Sequence, residues 1–369
     1  MTARLSELTT LRVGGPAERL VVAETAEQLV ETVLEAERSG EPWLVLGGGS
    51  NVLVGDDGVE GVVVRVVTRG IERLPDAPGS PRPVRLRVQA GEPWDALVAH
   101  TVENGWSGIE ALSGIPGSTG AAPIQNIGAY GQEIAESLVS VEVLDVDSGE
   151  RRTMPAPELA LGYRTSAIKQ GWRAVVLSVD LALERVEGAL GRPVAYAQLA
   201  DSLGVDVGQQ APLAGVRSAV LALRAGKGMV LDDADRQSVS AGSFFTNPLV
   251  SAPFALRLPA DAPRWPQQSE PPALAVPLGH EPAAPPAMVE GTVKLSAAWL
   301  IEHAGITRGF ALPGSGASVS SKHTLALTNA SGRATAAEIA ELARYIQTRV
   351  LSEFGVVLHP EPVFVGIVL

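Results

Sequence analysis

Residues 108–131 combine six glycines with short polar side chains and a single carboxylate, Glu110. Glycine allows the backbone to approach a bound group closely and to point N–H donors at it. Phosphate is the group most often held in this way, although a turn-rich connection between strands uses the same residue types. The segment therefore indicates either an anion-binding loop or a connector between strands.

A second glycine-rich loop, residues 47–51, follows the apolar run Trp43–Leu46 and precedes Val52–Val54. It does not match G-x-G-x-x-G, no helix follows it, and it lacks the Gly-Lys-Ser/Thr of a phosphate-binding Walker loop. A loop between two strands with Ser50 and Asn51 as donors suits a pyrophosphate. A hairpin turn would have the same residues, so this loop alone decides nothing.

The hydrophobic pattern predicts strands interspersed with amphipathic helices. Predicted strands cover residues 9–16 (a short strand-like piece ending in a turn), 20–23, 43–46, 52–54, 62–67, 84–90, 137–147, 174–183, 325–329, 356–358 and 363–365. Predicted helices cover residues 24–39, 93–104, 216–225, 293–302 and 335–354, with residues 195–199 leading from a loop into a helix. In the last of the long helices, Thr335 and Glu338 have the spacing of a capping box.

Composition limits the possible functions. The chain has 369 residues, which suggests two or three domains. A net charge of −12 offers no basic face for nucleic acid. Cysteine is absent, which excludes disulfides, thiolate metal sites and a Cys nucleophile, and we predict no metal site. The chain shows neither a signal-peptide pattern nor a run long enough to span a membrane, so we expect a cytoplasmic protein.

The segment 251–290 differs in composition from the rest of the chain. It contains ten prolines and many alanines. We expect it to be a surface insertion, extended or disordered, with no catalytic part.

Six segments with unusual residue runs occur in a fixed order, and together they resemble the UDP-N-acetylenolpyruvoylglucosamine reductase family. The longest, Ile-Pro-Gly-Ser-Thr-Gly-Ala-Ala-Pro-Ile-Gln-Asn-Ile-Gly-Ala-Tyr-Gly, is the most specific to that family. The resemblance covers nearly the whole chain apart from the proline-rich segment. The six segments are residues 10–15, 46–53, 115–131, 162–166, 242–248 and 360–361.

The resemblance implies an α+β protein with a PCMH-type, vanillyl-alcohol-oxidase-like FAD-binding fold. FAD-binding subdomains would span residues 1–70 and 71–228, and a substrate-binding domain would span 229–369. FAD would bind non-covalently and NADPH would donate hydride. The reaction would reduce UDP-N-acetylglucosamine enolpyruvate to UDP-N-acetylmuramate for peptidoglycan synthesis. We expect a monomer with no nucleic-acid or membrane partner.

Three residues take the family's catalytic positions. Arg164 would hold the enolpyruvyl carboxylate, because its planar fork suits a carboxylate. Ser243 would donate a proton to the carbon next to the one that receives hydride, and its pocket must polarise it. Glu361 would pair with Arg164 around the substrate carboxylate, either protonated or as an electrostatic partner. Each residue alone would be unremarkable: a surface charge, a turn serine and an exposed glutamate.

The resemblance also implies binding residues. Tyr196 occupies the position of a mobile loop tyrosine found in the first type of the family, and Lys227 and Asn247 would also bind substrate. The spacing from Lys227 to Ser243 is longer than usual, while Lys294 and Lys322 are further cations that could meet phosphate. The predicted FAD-binding residues are Gly47, Gly48, Gly49, Ser50, Asn51, Gly114, Ile115, Pro116, Gly117, Ser118, Thr119, Gln125, Asn126 and Gly128.

Two alternatives remain open from the residues. One is another FAD-dependent oxidoreductase of the same fold, such as a small-alcohol oxidase, which would need a base instead of the proton donor Ser243. The other is a flavin-binding protein without catalysis, which would be expected to lack Ser243 or Arg164. Both residues are present.

Overall fold

Residues 17–66 form a small parallel sheet packed against one helix. The structure, a computed structural model, describes residues 3–267 and 291–369. The strand order is β1-β4-β2, and β3 lies outside this sheet. The helix begins where Thr25 accepts a hydrogen bond from the Gln28 amide and ends at Gly40, which has φ +70°. The elements are β1 (Ala17–Ala23), α1 (Ala26–Ser39), β2 (Trp43–Leu46), β3 (Val52–Val54) and β4 (Val59–Val66).

Residues 71–226 form an antiparallel sheet of order β11-β10-β12-β6-β5, with β7 paired to the end of β12. Alternating burial along β6 places its valines and leucine in the core and its arginines on the other face. The elements are β5 (Ile71–Leu74), β6 (Val84–Gln89), α2 (Trp94–Glu103), β7 (Trp106–Ser107), β8 (Gly128–Ala129), β9 (Gln132–Glu133), β10 (Leu138–Asp145), β11 (Glu150–Pro155), β12 (Ala174–Arg185), α3 (Ala197–Leu203) and α4 (Leu213–Gly226).

Residues 249–365 form a third region, in which short strands and helices surround one long helix. Its elements are β13 (Leu249–Ser251), α5 (Ala252–Ala255), β14 (Arg264–Pro266), β15 (Thr292–Leu295), α6 (Ala297–His303), β16 (Ser318–Val319), β17 (Leu327–Thr328), α7 (Ala336–Phe354) and β18 (Val363–Val365). The predicted capping box of Thr335 and Glu338 is formed at the start of α7. The last strand, β18, pairs in parallel with β3 and so brings residues 363–365 next to the glycine-rich loop of residues 47–51.

Two large hydrophobic clusters organise these regions. One joins α1, β4 and the antiparallel sheet. The other surrounds α7, and it includes Leu11, Val13 and Leu53 from the N-terminal part of the chain. Residues from the N-terminal part of the chain therefore pack into both clusters and hold the two clusters next to each other.

Three strand or helix predictions are wrong. Residues 9–11 form a bend and a turn and residues 12–15 are irregular, with the Thr9 hydroxyl donating to the Val13 carbonyl. Residues 356–358 are irregular after the helix, which Gly355 caps. Residues 292–295 are strand β15, not the start of a helix, and α6 begins only after Ser296 caps it. Strand β15 pairs with β13 on one side and with β14 on the other, and its alternate residues are buried. This period-two pattern is too short to recognise beside a helical stretch.

The proline-rich segment is regular at its start. Residues 251–267 contribute the end of β13, the short helix α5 and strand β14, so the expectation of an extended or disordered chain is wrong for α5. The rest of the expected insertion, residues 268–290, lies outside the described residues. Among the helices of residues 3–267 and 291–369, none is both long and apolar enough to cross a membrane.

Candidate active site

The two glycine-rich loops meet each other directly. The Ser50 hydroxyl donates to the Pro116 carbonyl at 2.9 Å. A Cβ atom on Gly48 would lie 2.6 Å from the Gly117 Cα, and one on Gly47 would lie 2.3 Å from the Ser118 Oγ. The glycines are therefore required because the two backbones touch, and we call the pair, residues 47–51 and 114–119, the glycine wall.

The glycine wall presents amide donors. Within residues 3–267 and 291–369, the N–H groups of Gly48, Ser50, Gly117 and Ser118 donate to no other group. The next amide, Thr119 N–H, is anchored to the Glu92 carbonyl at 2.8 Å. Amides in closely packed loops need partners, and successive free N–H groups form concave sites for anions. The wall contains no carboxylate, so it fits the pyrophosphate of a dinucleotide such as FAD.

Arg164 and Glu361 lie close together in the fold, although they are about 200 residues apart in sequence. Arg164 Nε lies 3.6 Å from Glu361 Oε1. Other guanidinium nitrogens of Arg164 donate to the carbonyls of Asn126 (3.1 Å) and Gly128 (2.6 Å), where the β8–β9 hairpin begins. These bonds fix the planar fork, so that its remaining edge faces the carboxylate.

Glu361 is held by both cores. Its N–H donates to the Phe244 carbonyl at 2.9 Å, and two residues later Val363 N–H donates to the Asn51 carbonyl at 2.9 Å. Its Oε1 accepts from Gln125 Nε2 at 2.6 Å. Burial raises the pKa of the Glu361 carboxyl, and Arg164 and the Gln125 amide act in the opposite direction.

Ser243 lies in the segment that contacts Glu361, one residue before Phe244. Gly242 before it has φ +73°, and the two following phenylalanines are fully buried in an edge-to-face pair 5.3 Å apart. Phe245 bridges to Pro360, which brings the serine segment next to Glu361. The Ser243 hydroxyl is half-buried and makes no hydrogen bond within the described part of the chain. It is positioned by backbone packing and its hydroxyl is available to a ligand.

The predicted substrate-binding residues fall into two places. Tyr196 packs edge-to-face on Tyr130 (5.7 Å), and the Lys227 ammonium lies 5.5 Å from the same Tyr130 ring while donating to Gln198 (2.8 Å). Burial lowers the pKa of Lys227. Asn247 is elsewhere: its side-chain oxygen accepts from the Ala297 N–H at 2.9 Å.

Lys227 and Gln198 line a cleft of about 440 Å³ that also contains other basic side chains. Burial, together with Lys227 and Arg308, lowers the pKa of His323 in this cleft to about 4. Lys322 also lines the cleft and pairs with Asp235 at 2.9 Å, whereas Lys294 lies over the Tyr163 ring at 5.3 Å.

Two residues near the Arg164–Glu361 pair were missed by the sequence reasoning. Lys169 donates to the Gln125 side-chain oxygen at 2.7 Å, and Tyr163 lies between Arg164 and Lys294. Burial raises the pKa of Tyr163 and lowers that of Lys169. The available signal was their position in the same short segment as Arg164, one residue before it and five after it.

The comparisons with known proteins agree with this arrangement. Residues 17–154 match the FAD binding domain family, and residues 234–365 match the UDP-N-acetylenolpyruvoylglucosamine reductase C-terminal domain family. Fold and site thus define a flavin-dependent oxidoreductase. The predicted fold class, a PCMH-type FAD-binding fold followed by an α+β domain, is confirmed.

Full-length relatives define the family. A UDP-N-acetylenolpyruvoylglucosamine reductase of Leifsonia xyli subsp. xyli is 59% identical over 99% of this chain and 98% of its own length. One from Salinispora arenicola is 50% identical over 99% of this chain and 95% of its own. The crystal structure of the Thermus caldophilus enzyme (MurB) has a TM-score of 0.63 at 26% identity, covering 99% of this chain and 98% of its own. The chain belongs to the UDP-N-acetylenolpyruvoylglucosamine reductase family.

Proposed function

We propose that the protein uses NADPH and bound FAD to reduce the enolpyruvyl group of UDP-N-acetylglucosamine enolpyruvate, giving UDP-N-acetylmuramate. The carbon–carbon double bond gains a hydride at its terminal carbon and a proton at the adjacent carbon. The observation that carries the proposal is the convergence of Arg164, Glu361 and the Ser243 segment from three distant parts of the chain, on the strand pair β3–β18 that adjoins the glycine wall.

The glycine wall would hold the FAD pyrophosphate through its free amides, and Gln125, Asn126 and Gly128 would lie near the flavin. When bound, FAD supplies hydride transfer between NADPH and carbon. Arg164 holds the substrate carboxylate and balances the negative charge that develops during reduction. Ser243 keeps its proton at Oγ and would donate it to the carbon next to the one that receives hydride. Glu361 limits the motion of Arg164 by pairing with it.

Tyr196, Lys227 and Asn247 are proposed to bind the UDP-sugar. Because the Lys227 ammonium already lies against Tyr130 and beside a basic cleft, diphosphate is the part of the substrate that it suits best. Asn247 accepts from the Ala297 N–H through its side-chain oxygen and donates to Tyr163, which places it beside Arg164. The affinity for UDP, measured by isothermal titration calorimetry, should fall markedly in Lys227→Met. An unchanged affinity would contradict this assignment.

We further propose three units, residues 1–70, 71–228 and 229–369, in a monomeric cytoplasmic enzyme of peptidoglycan synthesis that is needed for cell shape and division. Light scattering at working concentration should give the mass of one chain. Depletion of the protein in its cell should cause accumulation of UDP-N-acetylglucosamine enolpyruvate and loss of shape. A stable dimer would contradict the proposed monomer. Depletion without accumulation of UDP-N-acetylglucosamine enolpyruvate would contradict the proposed role in peptidoglycan synthesis.

The decisive test separates the two halves of the reaction. In Ser243→Ala, anaerobic NADPH should still bleach the flavin, while reoxidation by the enolpyruvyl substrate should fall by at least about 100-fold, the range for loss of a general acid. Thr246→Val, which removes a hydroxyl from the same segment, is the matched control and should keep both halves. Equal slowing of both halves in Ser243→Ala would contradict the role of Ser243.

A separate result would favour the alternative oxidoreductase. If the yellow wild-type protein oxidised NADPH only when oxygen was present, and not with the enolpyruvyl substrate, the substrate assignment would be wrong. A colourless protein that cannot be reconstituted with FAD would contradict the whole proposal.

A further inference from the structure

Lys169 contacts the residues that hold Glu361, although no role has been given to it above. Its ammonium donates to Gln125 Oε1 at 2.7 Å and to the backbone carbonyl of Glu361 at 3.3 Å. Asn51 makes the same two contacts from the other side, donating to Gln125 Oε1 at 2.8 Å and to the Glu361 carbonyl at 3.3 Å. Gln125 in turn donates to Glu361 Oε1.

Local structure holds Lys169 in this place. The fully buried Ser166 hydroxyl donates to the Ile124 carbonyl at 2.7 Å and accepts from the Lys169 N–H at 3.2 Å. The lysine is therefore fixed beside residues 124–126, and its partly buried side chain extends toward Gln125.

The ammonium strengthens an orientation that the amides alone hold only weakly. An amide side chain has a donor end and an acceptor end, and Asn51 and Gln125 could both rotate by half a turn and still bond to each other, losing only the 3.3 Å bond from Asn51 to the Glu361 carbonyl. Rotated, Gln125 would present its oxygen to Glu361, which suits a protonated carboxyl. Lys169 has donors only, so it requires the Gln125 oxygen on its side and the Gln125 nitrogen toward Glu361.

We propose that Lys169 is a positioning residue: by fixing the orientation of the Gln125 amide, it favours the ionised form of the Glu361 carboxyl that faces Arg164. The catalytic value of that carboxylate rests on the proposed function, whereas its protonation can be measured in the resting protein. In the described residues, the charged or titratable groups that act on Glu361 are Arg164, Lys169 and Tyr163, all from one segment.

The test measures Glu361 directly in the FAD-loaded protein without substrate. Glutamates are labelled with ¹³C at the side-chain carboxyl, and the Glu361 signal is identified as the one missing in Glu361→Gln. In Lys169→Met, its titration midpoint should rise by about one pH unit or more, as expected for loss of a nearby cation and of a donated hydrogen bond. Lys169→Arg should restore at least half of the shift, because it keeps charge and donors.

Two comparisons separate a local effect from a general one. Arg151→Met removes an exposed cation that pairs with Glu27, and the midpoint should not move. Gln125→Leu should raise the Glu361 titration midpoint. Adding Lys169→Met to Gln125→Leu should raise that midpoint by less than Lys169→Met does in the wild-type protein, because the lysine acts through the amide. An unchanged midpoint in Lys169→Met, or full additivity with Gln125→Leu, would overturn the proposal. If Lys169→Met does not fold, Lys169→Gln replaces it with the same expected result.

Kinetics then connect the position of Lys169 to the reaction. The acidic limb of the kcat/KM profile should move to higher pH in Lys169→Met by the same amount as the NMR midpoint, and return in Lys169→Arg. A wild-type protein without substrate-dependent NADPH oxidation would contradict the proposed function while leaving the NMR result to decide the role of Lys169. A shifted midpoint with an unshifted profile would overturn the catalytic part of the inference.

Discussion

The glycine wall and the Arg164–Glu361 cluster adjoin each other but are built in different ways. In the wall, two contiguous runs of sequence touch through their backbones, and side chains contribute little beyond the Ser50 hydroxyl. In the cluster, side chains from residues 125, 164, 169 and 361 meet, and they come from three separate segments of the chain. The wall depends on the absence of side chains, whereas the cluster depends on the orientation of a few.

This difference predicts different consequences of substitution. Adding one methyl group to the wall should disturb folding and FAD binding, because backbone atoms cannot move aside. Changing a side chain in the cluster should leave the fold intact and alter rates or protonation.

Gly49→Ala should break the wall. Gly49 has φ +62°, and a Cβ atom would lie 2.0 Å from the Leu8 carbonyl oxygen. Left-handed strain and overpacking together should cost about 2–5 kcal/mol of unfolding free energy, with loss of bound FAD. Gly204→Ala is the matched control, since Gly204 has φ +67° with nothing within 4 Å, and it should cost only about 1–2 kcal/mol. Urea unfolding measures both, and equal costs would show that the close contact is unimportant.

Arg164→Met should impair the cluster without unfolding the protein. The substrate carboxylate and Glu361 would both lose their cation, so kcat/KM should fall by about 10²–10³-fold, the range for loss of one transition-state donor. Steady-state kinetics and thermal unfolding are compared with Arg151→Met, which should retain activity. A fall of less than about fivefold would exclude Arg164 from the reaction.

The pH dependence of stability should reveal Glu361. Because burial raises the pKa of its carboxyl in the folded state, the folded protein binds more protons than the unfolded chain between the two pKa values. Wild-type stability relative to Glu361→Gln should therefore be greatest below the unfolded pKa and decrease as pH rises through the folded pKa, by about 1.4 kcal/mol per unit of difference. Urea unfolding from pH 4 to 8 checks the sign, and a relative gain with rising pH would contradict it.

Ser50→Ala should have the smallest effect. It removes one hydrogen bond between the two loops, which costs about 0.5–1.5 kcal/mol, while the backbone contact of Gly48 and Gly117 remains. FAD should still bind, as judged by the flavin absorbance retained on gel filtration. Complete loss of FAD would mean that side chains, and not the backbone, form the wall.

The sequence indicated the two glycine-rich loops of the wall but not what they bind, and it was only partly sufficient for the cluster. A contiguous glycine run allows close backbone approach, so residues 47–51 and 108–131 stood out without a fold, whereas their assignment to FAD came from the resemblance. Arg164, Ser243 and Glu361 were found only by resemblance, because nothing in their spacing brings them together. Lys169 was missed because its partner Gln125 lies in another segment, and the pairing of β18 with β3 that places Glu361 depends on tertiary structure.

Strand β15 was predicted to be the start of a helix. Residues 292–295 alternate inside and outside, but four residues with both apolar and basic side chains satisfy a helical pattern as well. Their pairing with β13 and β14 decides the structure, and strand pairing overrides local preference when burial is at stake.

The most direct test of the proposed function is product analysis in an anaerobic mixture of the purified protein, NADPH and UDP-N-acetylglucosamine enolpyruvate. Mass spectrometry should show one UDP-sugar product, heavier than the substrate by two hydrogens, for each NADPH oxidised. NADPH consumption without that product, or the absence of any consumption by a protein that contains FAD, would contradict it.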